Sequence, residues 1–330
     1  MQEARSGDPS ERTGFFLHSA AALHDPGWGH PDHQGRLRAL TSLVGRDLLA
    51  LRGLVEQLDN RAAREEVVLR VHSVDLLTSL REACERAGRG QVEVGPETFV
   101  SSASWQAMMG STGALLEAVE RVADGRLRNA FVAARPPGHH ASRTRSMGFC
   151  PINHVAIAAA HLKATGRAER VAIVDWDVHH GNGTQEIFYL DPSVYYLSLH
   201  QSPLFPGTGS TAEVGKGPGK GTTLNVPLPA GTGSDAYRAE FESALATVEA
   251  AFRPDLILVS AGYDALSEDP LGGLLLGPED FHHFTTRVME WADRACEGRV
   301  VACLEGGYHP EATGRAVVAT IRALAGLEFP

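Results

Sequence analysis

Eight short stretches of this chain are mostly apolar at consecutive positions rather than at alternate ones. They fall at residues 14–18, 67–72, 130–134, 171–177, 194–200, 222–226, 256–260 and 300–304. A strand that is apolar on both faces must be covered on both faces, which is the condition of a parallel sheet between two helical layers. Helix-length stretches lie between them, at 34–50, 74–87, 105–122, 150–163, 234–251, 278–296 and 312–327. In the third, Leu115, Leu116, Val119 and Val122 recur at helical spacing. Ser234 before Asp235 reads as an N-cap start, and Pro278 after Gly277 as a first-turn proline. The alternation predicts an α/β fold with a mainly parallel sheet. Residues 201–221, rich in Gly, Pro, Ser and Thr, break it and read as a long functional loop.

No repeat or linker divides the 330 residues, so one domain over 13–330 is expected behind a disordered polar tail at 1–12. The balance of 30 Lys plus Arg against 40 Asp plus Glu, with no basic run, excludes a nucleic-acid partner, because phosphate neutralisation needs clustered cations. An apolar fraction of 43% excludes a mainly disordered chain. The 4 Cys contain no close pair, which argues against a disulfide framework or a zinc ribbon. No secretory h-region and no spanning apolar run of ~18 residues is present, so the chain reads as soluble and cytoplasmic, with no membrane partner. The unusual count is 15 His.

Four of the histidines, His139, His140, His179 and His180, fall in two short motifs at strand ends, and the other eleven need no catalytic explanation. Val171 to Asn182 reads Val-Ala-Ile-Val-Asp-Trp-Asp-Val-His-His-Gly-Asn. Asp175, Asp177 and His179 are two apart, so an extended chain would project them to one face. Neighbouring buried carboxylates need a compensating cation, and zinc with Asp and His ligands would supply it; the alternative is a loop of solvated charges. Asp264 follows the stretch 256–260 and is either a third ligand or a turn aspartate. Gly306 and Gly307 allow a tight turn that presents Tyr308 to the same crevice, unless that ring merely packs. His139 and His140 follow Arg135-Pro136-Pro137-Gly138 and are placed for acid–base work, or are exposed loop residues. In open α/β sheets, ligands bind at the carboxyl ends of strands, where all four segments fall.

These segments are similar to those of the histone deacetylase superfamily of arginase-like zinc amidohydrolases, above all its class II-type and bacterial branches. The similarity runs through Gly29–Asp32 with Arg36, Arg135–Ala141, Gly148–Cys150 with Asn153, Val174–Thr184, Ser198–Gln201, Pro206–Gly209, Ser260–Gly272 and Glu305–Tyr308. It implies a three-layer α/β/α domain with a mainly parallel eight-stranded sheet, and a zinc-dependent deacylase. By resemblance Asp177, His179 and Asp264 are the zinc ligands and His139 and His140 the tandem catalytic histidines. Asp175 orients the first histidine, Asn182 partners the second, and Tyr308 is the catalytic tyrosine. Gly148 and Phe149, with Phe205, form the channel that clamps an acyl-lysine chain. A structural potassium ion would use Asp175, Asp177, His179, Ser198 and Leu199. Arg36 matches an arginine at the inner end of the acyl pocket, or is a buried structural residue.

Position 182 is Asn where class I-type members have Asp, so it cannot raise the basicity of His140 as a carboxylate would. His140 is then the expected general base, His139 acts electrostatically, and Tyr308 stabilises the oxyanion. Leu271 stands where the polyamine-selective branch carries a Glu gatekeeper. The apolar residue favours an acyl-lysine protein or peptide over an acetylpolyamine or other small acyl-amine. Glu97 falls near the substrate rim, as a cation or peptide contact or as a solvated loop residue. Dimerisation could narrow the site. The competing readings are a two-manganese ureohydrolase and an inactive acyl-lysine binder. His180 follows the family pattern without a role derivable from sequence.

Overall fold

The computed structural model describes residues 12–51 and 53–329. The expected tail at 1–12 therefore lies outside the described residues except for Arg12, which pairs with Glu56 at 3.2 Å. Among the described residues there are ten strands: β1 (Thr13–Phe16), β2 (Val55–Leu58), β3 (Val92–Gly95), β4 (Thr98–Val100), β5 (Asn129–Val132), β6 (Val171–Asp175), β7 (Val194–Gln201), β8 (Thr223–Leu228), β9 (Leu256–Ala261) and β10 (Val300–Leu304). Eight form one sheet in the order β2-β1-β5-β10-β9-β6-β7-β8, and every pairing in it is parallel. The remaining two, β3 and β4, make a small antiparallel hairpin.

The central strands β5, β6, β7, β9 and β10 are buried on both faces, as their composition requires. Along β10, Val300, Ala302 and Leu304 enter one core and Val301 and Cys303 the other. The first core is closed by α1 (Gly35–Ala50), α7 (Ser234–Ala251), α8 (Pro278–Cys296) and α9 (Pro310–Leu324). The second is closed by α2 (Glu65–Val68), α3 (Val74–Ala87), α4 (Ser104–Ala123), α5 (His154–Ala164) and α6 (Asn182–Phe188). The result is the expected three-layer α/β/α arrangement. All four cysteines are buried and unpaired. Among the described residues, no helix is long and apolar enough to cross a membrane.

Three expectations are corrected. Residues 67–72 are not a strand: Val67, Val68 and Val71 are buried while Arg70 is exposed, a helical spacing, and the segment is α2 with its following turns. The eighth strand is instead β2, a half-exposed edge strand whose Val-Glu-Gln-Leu carries little apolar signal. Ser234 does not cap α7. Its hydroxyl donates to Asp280 Oδ2 at 2.7 Å, and that carboxylate also takes the Gly277 N–H at 2.7 Å to cap α8. The helix expected from 150 begins at 154, because Cys150 closes a tight turn with Met147 and Asn153 accepts the Ala156 N–H at 2.9 Å as the N-cap.

Several histidines outside the strand-end motifs are framework groups. His72 donates from Nδ1 to the Ser142 carbonyl at 3.0 Å and accepts the Asn153 N–H on Nε2 at 2.8 Å. His154 donates from Nε2 to the Pro136 carbonyl at 3.0 Å and accepts the Thr112 hydroxyl on Nδ1 at 2.8 Å. His200 does the same between the Gly209 carbonyl and the Ser198 hydroxyl, at 3.0 and 2.9 Å. Each is a neutral ring with both nitrogens engaged. Burial holds His72 and His154 down to about 4 and His200 to about 3. The unfolded chain takes up these protons near pH 6.5 and the folded one does not, so stability falls as pH drops from about 6.5 toward about 4. Each ring contributes ~1.4 kcal/mol per pH unit in that window. Urea midpoints are expected to decline steadily from about pH 7 to about pH 5. Asp264 and Glu305, both held at about 7 in the fold, work in the opposite sense and lessen the slope, so a midpoint that rises over that range would overturn the reading of these rings.

Candidate active site

Chain reversals at the carboxyl ends of β5, β6, β9 and β10 bring four motifs together. Strand β6 ends at Asp175 rather than at Asp177, and the chain then turns on its own carboxylates. The Asp177 N–H donates to Asp175 Oδ1 at 3.2 Å and the His179 N–H to Asp177 Oδ1 at 2.9 Å. The three residues therefore do not share one strand face, as alternation predicted. Asp175 turns to His139, while Asp177 and His179 converge with Asp264, their ligand atoms lying within 4.8 Å of one another.

His179 Nδ1 lies 3.1 Å from both Asp177 Oδ1 and Asp264 Oδ2. A lone pair on that nitrogen would face two carboxylate oxygens, so the three atoms either share a proton or surround a cation. Burial and the neighbouring Asp177 push Asp264 up to about 7. Burial opposes the His179 cation, yet the bonds and charges of Asp177 and Asp264 raise the ring to about 10. The remaining carboxylate oxygens are oriented by backbone, Asp264 Oδ1 by the Val178 N–H and Asp177 Oδ2 by the Gly306 N–H, each at 2.8 Å. One imidazole nitrogen and two carboxylate oxygens form a donor set suited to zinc with a position left open. Gly306 is required here, because a Cβ would lie 2.1 Å from Asp264 Oδ2 and 2.6 Å from Asp177 Oδ2.

The tandem histidines occupy different environments. His139 Nδ1 donates to Asp175 Oδ2 at 3.0 Å, and that oxygen also takes the Tyr196 hydroxyl at 2.9 Å. Burial disfavours its cation, but Asp175 and Asp177 outweigh this and raise it to about 10. His140 Nδ1 bonds Asn182 Oδ1 at 2.8 Å, which leaves Nε2 as the free base. Burial, then the charges of His139 and His179, hold His140 well below its usual value. Glu305 fixes the loop that carries both rings. Its Oε2 accepts the Gly138 N–H at 2.6 Å and the His139 N–H at 3.1 Å. Burial pushes this carboxyl up to about 7.

Tyr308 is buried beneath Arg36, whose guanidinium carbon lies 4.6 Å from the ring centroid. Arg36 also donates to the Gly307 and Glu305 carbonyls at 2.6 and 2.7 Å, and is neutralised by Asp32 at 2.6 Å. Asp32 binds Arg135 as well, at 2.9 Å. Burial holds the Tyr308 phenol well above its usual pKa, so it stays a donor. Above it opens a cavity of about 490 Å³ lined by Phe149, Phe205, Gly148, Leu271, His140, His179 and Tyr308. Phe149 adopts a left-handed φ of 66° and meets Tyr308 edge-on at 5.5 Å, and Phe205 meets His140 edge-on at 5.1 Å. A Cβ on Gly148 would lie 2.5 Å from His140 and 2.8 Å from Phe205.

A family model described as the histone deacetylase domain matches residues 30–324. The chain belongs to the histone deacetylase family. It is 40% identical to "Histone deacetylase 10, chloroplastic" of Oryza sativa subsp. japonica over 309 residues, 90% of this chain and 70% of that protein. It is 35% identical to a "Probable deacetylase" of Archaeoglobus fulgidus over 318 residues, 96% and 87% of the two chains. The crystal structure of the HDA15 HD domain superposes with a TM-score of 0.90 at 31% identity, covering 97% of this chain and 90% of that one.

In this histone deacetylase domain the structure brings together Asp175, Asp177, His179, Asp264, His139, His140, Asn182 and Tyr308, and the channel residues Gly148, Phe149, Phe205 and Leu271. Glu97 lines the cavity mouth and is exposed. Ser198 pairs with Asp175 in the β6–β7 register and spends its hydroxyl on His200; Leu199 follows it on β7. His180 has a structural role, bonding Thr208 at 2.8 Å and Gln185 at 3.0 Å and so anchoring the loop that carries Phe205. Sequence reasoning missed His30, Pro31, Glu93, Phe99 and Leu204 as cavity residues. His30-Pro31 belongs to a quoted motif and could have been found, whereas Glu93 and Phe99 reach the rim through a hairpin with no signature. Replacing Gly306 by Ala is expected to weaken zinc affinity about tenfold or more with the circular dichroism spectrum unchanged. Unaltered affinity in a competitive chelator titration would refute the requirement for bare backbone there.

Proposed function

We propose that this domain is a zinc-dependent deacylase that hydrolyses the side-chain amide of acyl-lysine. The observation that carries the reading is the aromatic channel of Phe149 and Phe205, which ends at His140, His179 and Tyr308. It suits a linear alkyl chain that delivers an amide to those groups. Zinc held by Asp177, His179 and Asp264 would supply Lewis acidity toward the amide carbonyl and the attacking water. Among the described residues these are the one such group of three, which favours a single-metal deacylase over a two-metal ureohydrolase. A potassium ion, which the family resemblance implies at Asp175, Asp177, His179, Ser198 and Leu199, would enter no step.

His140 takes the water proton on Nε2 while Asn182 holds Nδ1. The water oxygen adds to the carbonyl carbon, and the Tyr308 hydroxyl donates to the developing oxyanion. His140 then returns the proton to the amine nitrogen as the C–N bond breaks, which releases the carboxylic acid and the lysine amine; the acid's proton passes to the amine, so the products leave as carboxylate and ammonium. His139, paired with Asp175, stabilises negative charge without leaving its bond. A second reading, a cationic acyl-amine substrate, is favoured by Glu93 and Glu97 at the cavity mouth. Leu271 gives such a substrate no ion pair at the gate and supports acyl-lysine.

Tyr308→Phe is expected to lower kcat by about 10²–10³, the effect of removing one oxyanion donor, while zinc content stays at one per chain. Near-normal turnover would sink the oxyanion assignment. A panel crossing acetyl-lysine peptides with acetylputrescine, scored by kcat/KM, is expected to favour the peptides. Preference for the polyamine by orders of magnitude would replace the first reading with the second.

A further inference from the structure

The loop after β9 carries the gate residue Leu271, and the loop after β10 carries Tyr308. One buried carboxylate joins them. Asp269 Oδ1 accepts the Leu271 N–H at 2.9 Å, and Oδ2 accepts the N–H groups of Tyr308 at 2.6 Å and His309 at 3.3 Å. Asp269 is only 7% exposed. Its own N–H closes a turn onto the Leu266 carbonyl at 3.0 Å, so the carboxylate projects from a fixed backbone. The gate loop is further seated on the metal-ligand segment, since a Cβ on Gly272 would lie 2.2 Å from the Asp264 carbonyl oxygen. On the other side, Arg36 fixes the Gly307 carbonyl, and His309 accepts the Ala312 N–H at 3.2 Å to start α9.

We propose that Asp269 is a positioning residue that couples the substrate gate at Leu271 to the oxyanion donor Tyr308. The inference rests on the deacylase reading. A carboxylate is rigid and planar, so its two oxygens hold the two loops at one separation. The peptide N–H of the tyrosine has no freedom that the gate lacks. A substrate seated against Leu271 therefore meets a phenol already aimed at its carbonyl, the preorganisation on which oxyanion stabilisation depends. Asparagine cannot replace this group. It offers one oxygen, and its NH2 would face a backbone N–H on the other side, freeing one loop from the other.

The test compares acetyl-lysine and trifluoroacetyl-lysine peptides on the zinc-loaded full chain. Fluorine makes the carbonyl carbon more electrophilic, so the second substrate leans less on the oxyanion donor. Asp269→Asn is expected to lose about tenfold or more in kcat on the acetyl peptide with KM within about threefold, the mark of an interaction made in the transition state. The loss on the trifluoroacetyl peptide should be clearly smaller, in the same direction as for Tyr308→Phe, with zinc content unchanged. Asp269→Glu keeps both oxygens on a longer arm and should shift the ratio the same way, which covers a failure of the Asn variant to fold. Equal losses on both peptides, or a change in KM alone, would overturn the coupling and leave Asp269 a loop staple. If the wild type cleaves neither peptide, the deacylase reading fails first and the coupling falls with it.

Discussion

Two buried carboxylates, Asp177 and Asp264, face each other across the ends of β6 and β9, and neither can stay ionised there beside the other without positive charge between them. Much of the surrounding structure follows from that demand. His179 sits between them, backbone N–H groups of Val178 and Gly306 orient their outer oxygens, and Gly262 and Gly306 are bare because a Cβ would strike them. Two further carboxylates, Asp175 and Glu305, stand behind, taken up by His139 and by the backbone of its loop. A fold that buries four acids at neighbouring strand ends needs positive charge among them, which the protonated rings of His139 and His179, or a bound cation in their place, would supply.

The fold was legible because central strands of a parallel sheet need no alternation. Continuous apolar runs such as 171–175 and 256–261 are rarely anything else when helices separate them. Legibility failed at the edge. The β2 strand, Val-Glu-Gln-Leu, is half solvated and owes its conformation to pairing with β1, a tertiary effect absent from its own residues. Residues 67–72 failed in reverse, since three valines carry strand propensity while their spacing is helical. At the site, motif residues were legible because chemistry fixes them. At the rim Glu97 was legible through the family pattern, whereas Glu93 and Phe99 are set there by a hairpin docked at the mouth, a tertiary placement that no local motif announces.

The histidines divide by what their nitrogens face. His139 and His179 face carboxylates, and His140 faces an amide and the cavity. His72, His154 and His200 instead join one loop or strand to another as neutral double-ended linkers. An abundance of histidine thus serves two purposes: three rings meet carboxylates or the cavity at the strand ends, and several more stay neutral and tie the scaffold together.

Asp32 is bound by Arg36 and Arg135, and Arg36 reaches on to the carbonyls of Glu305 and Gly307. Those partners are 269 and 271 positions away along the chain. During synthesis, then, Asp32 can be joined by Arg36 and Arg135 early, but the bonds of Arg36 to the carbonyls must wait until residues 305–307 have emerged. The pocket cannot be assembled piecemeal, and closing such distant contacts is slow because the loop entropy is lost before the contacts repay it. A chain stalled shortly before residue 305 would carry most of its sheet and both tandem histidines, yet have no floor under its active site.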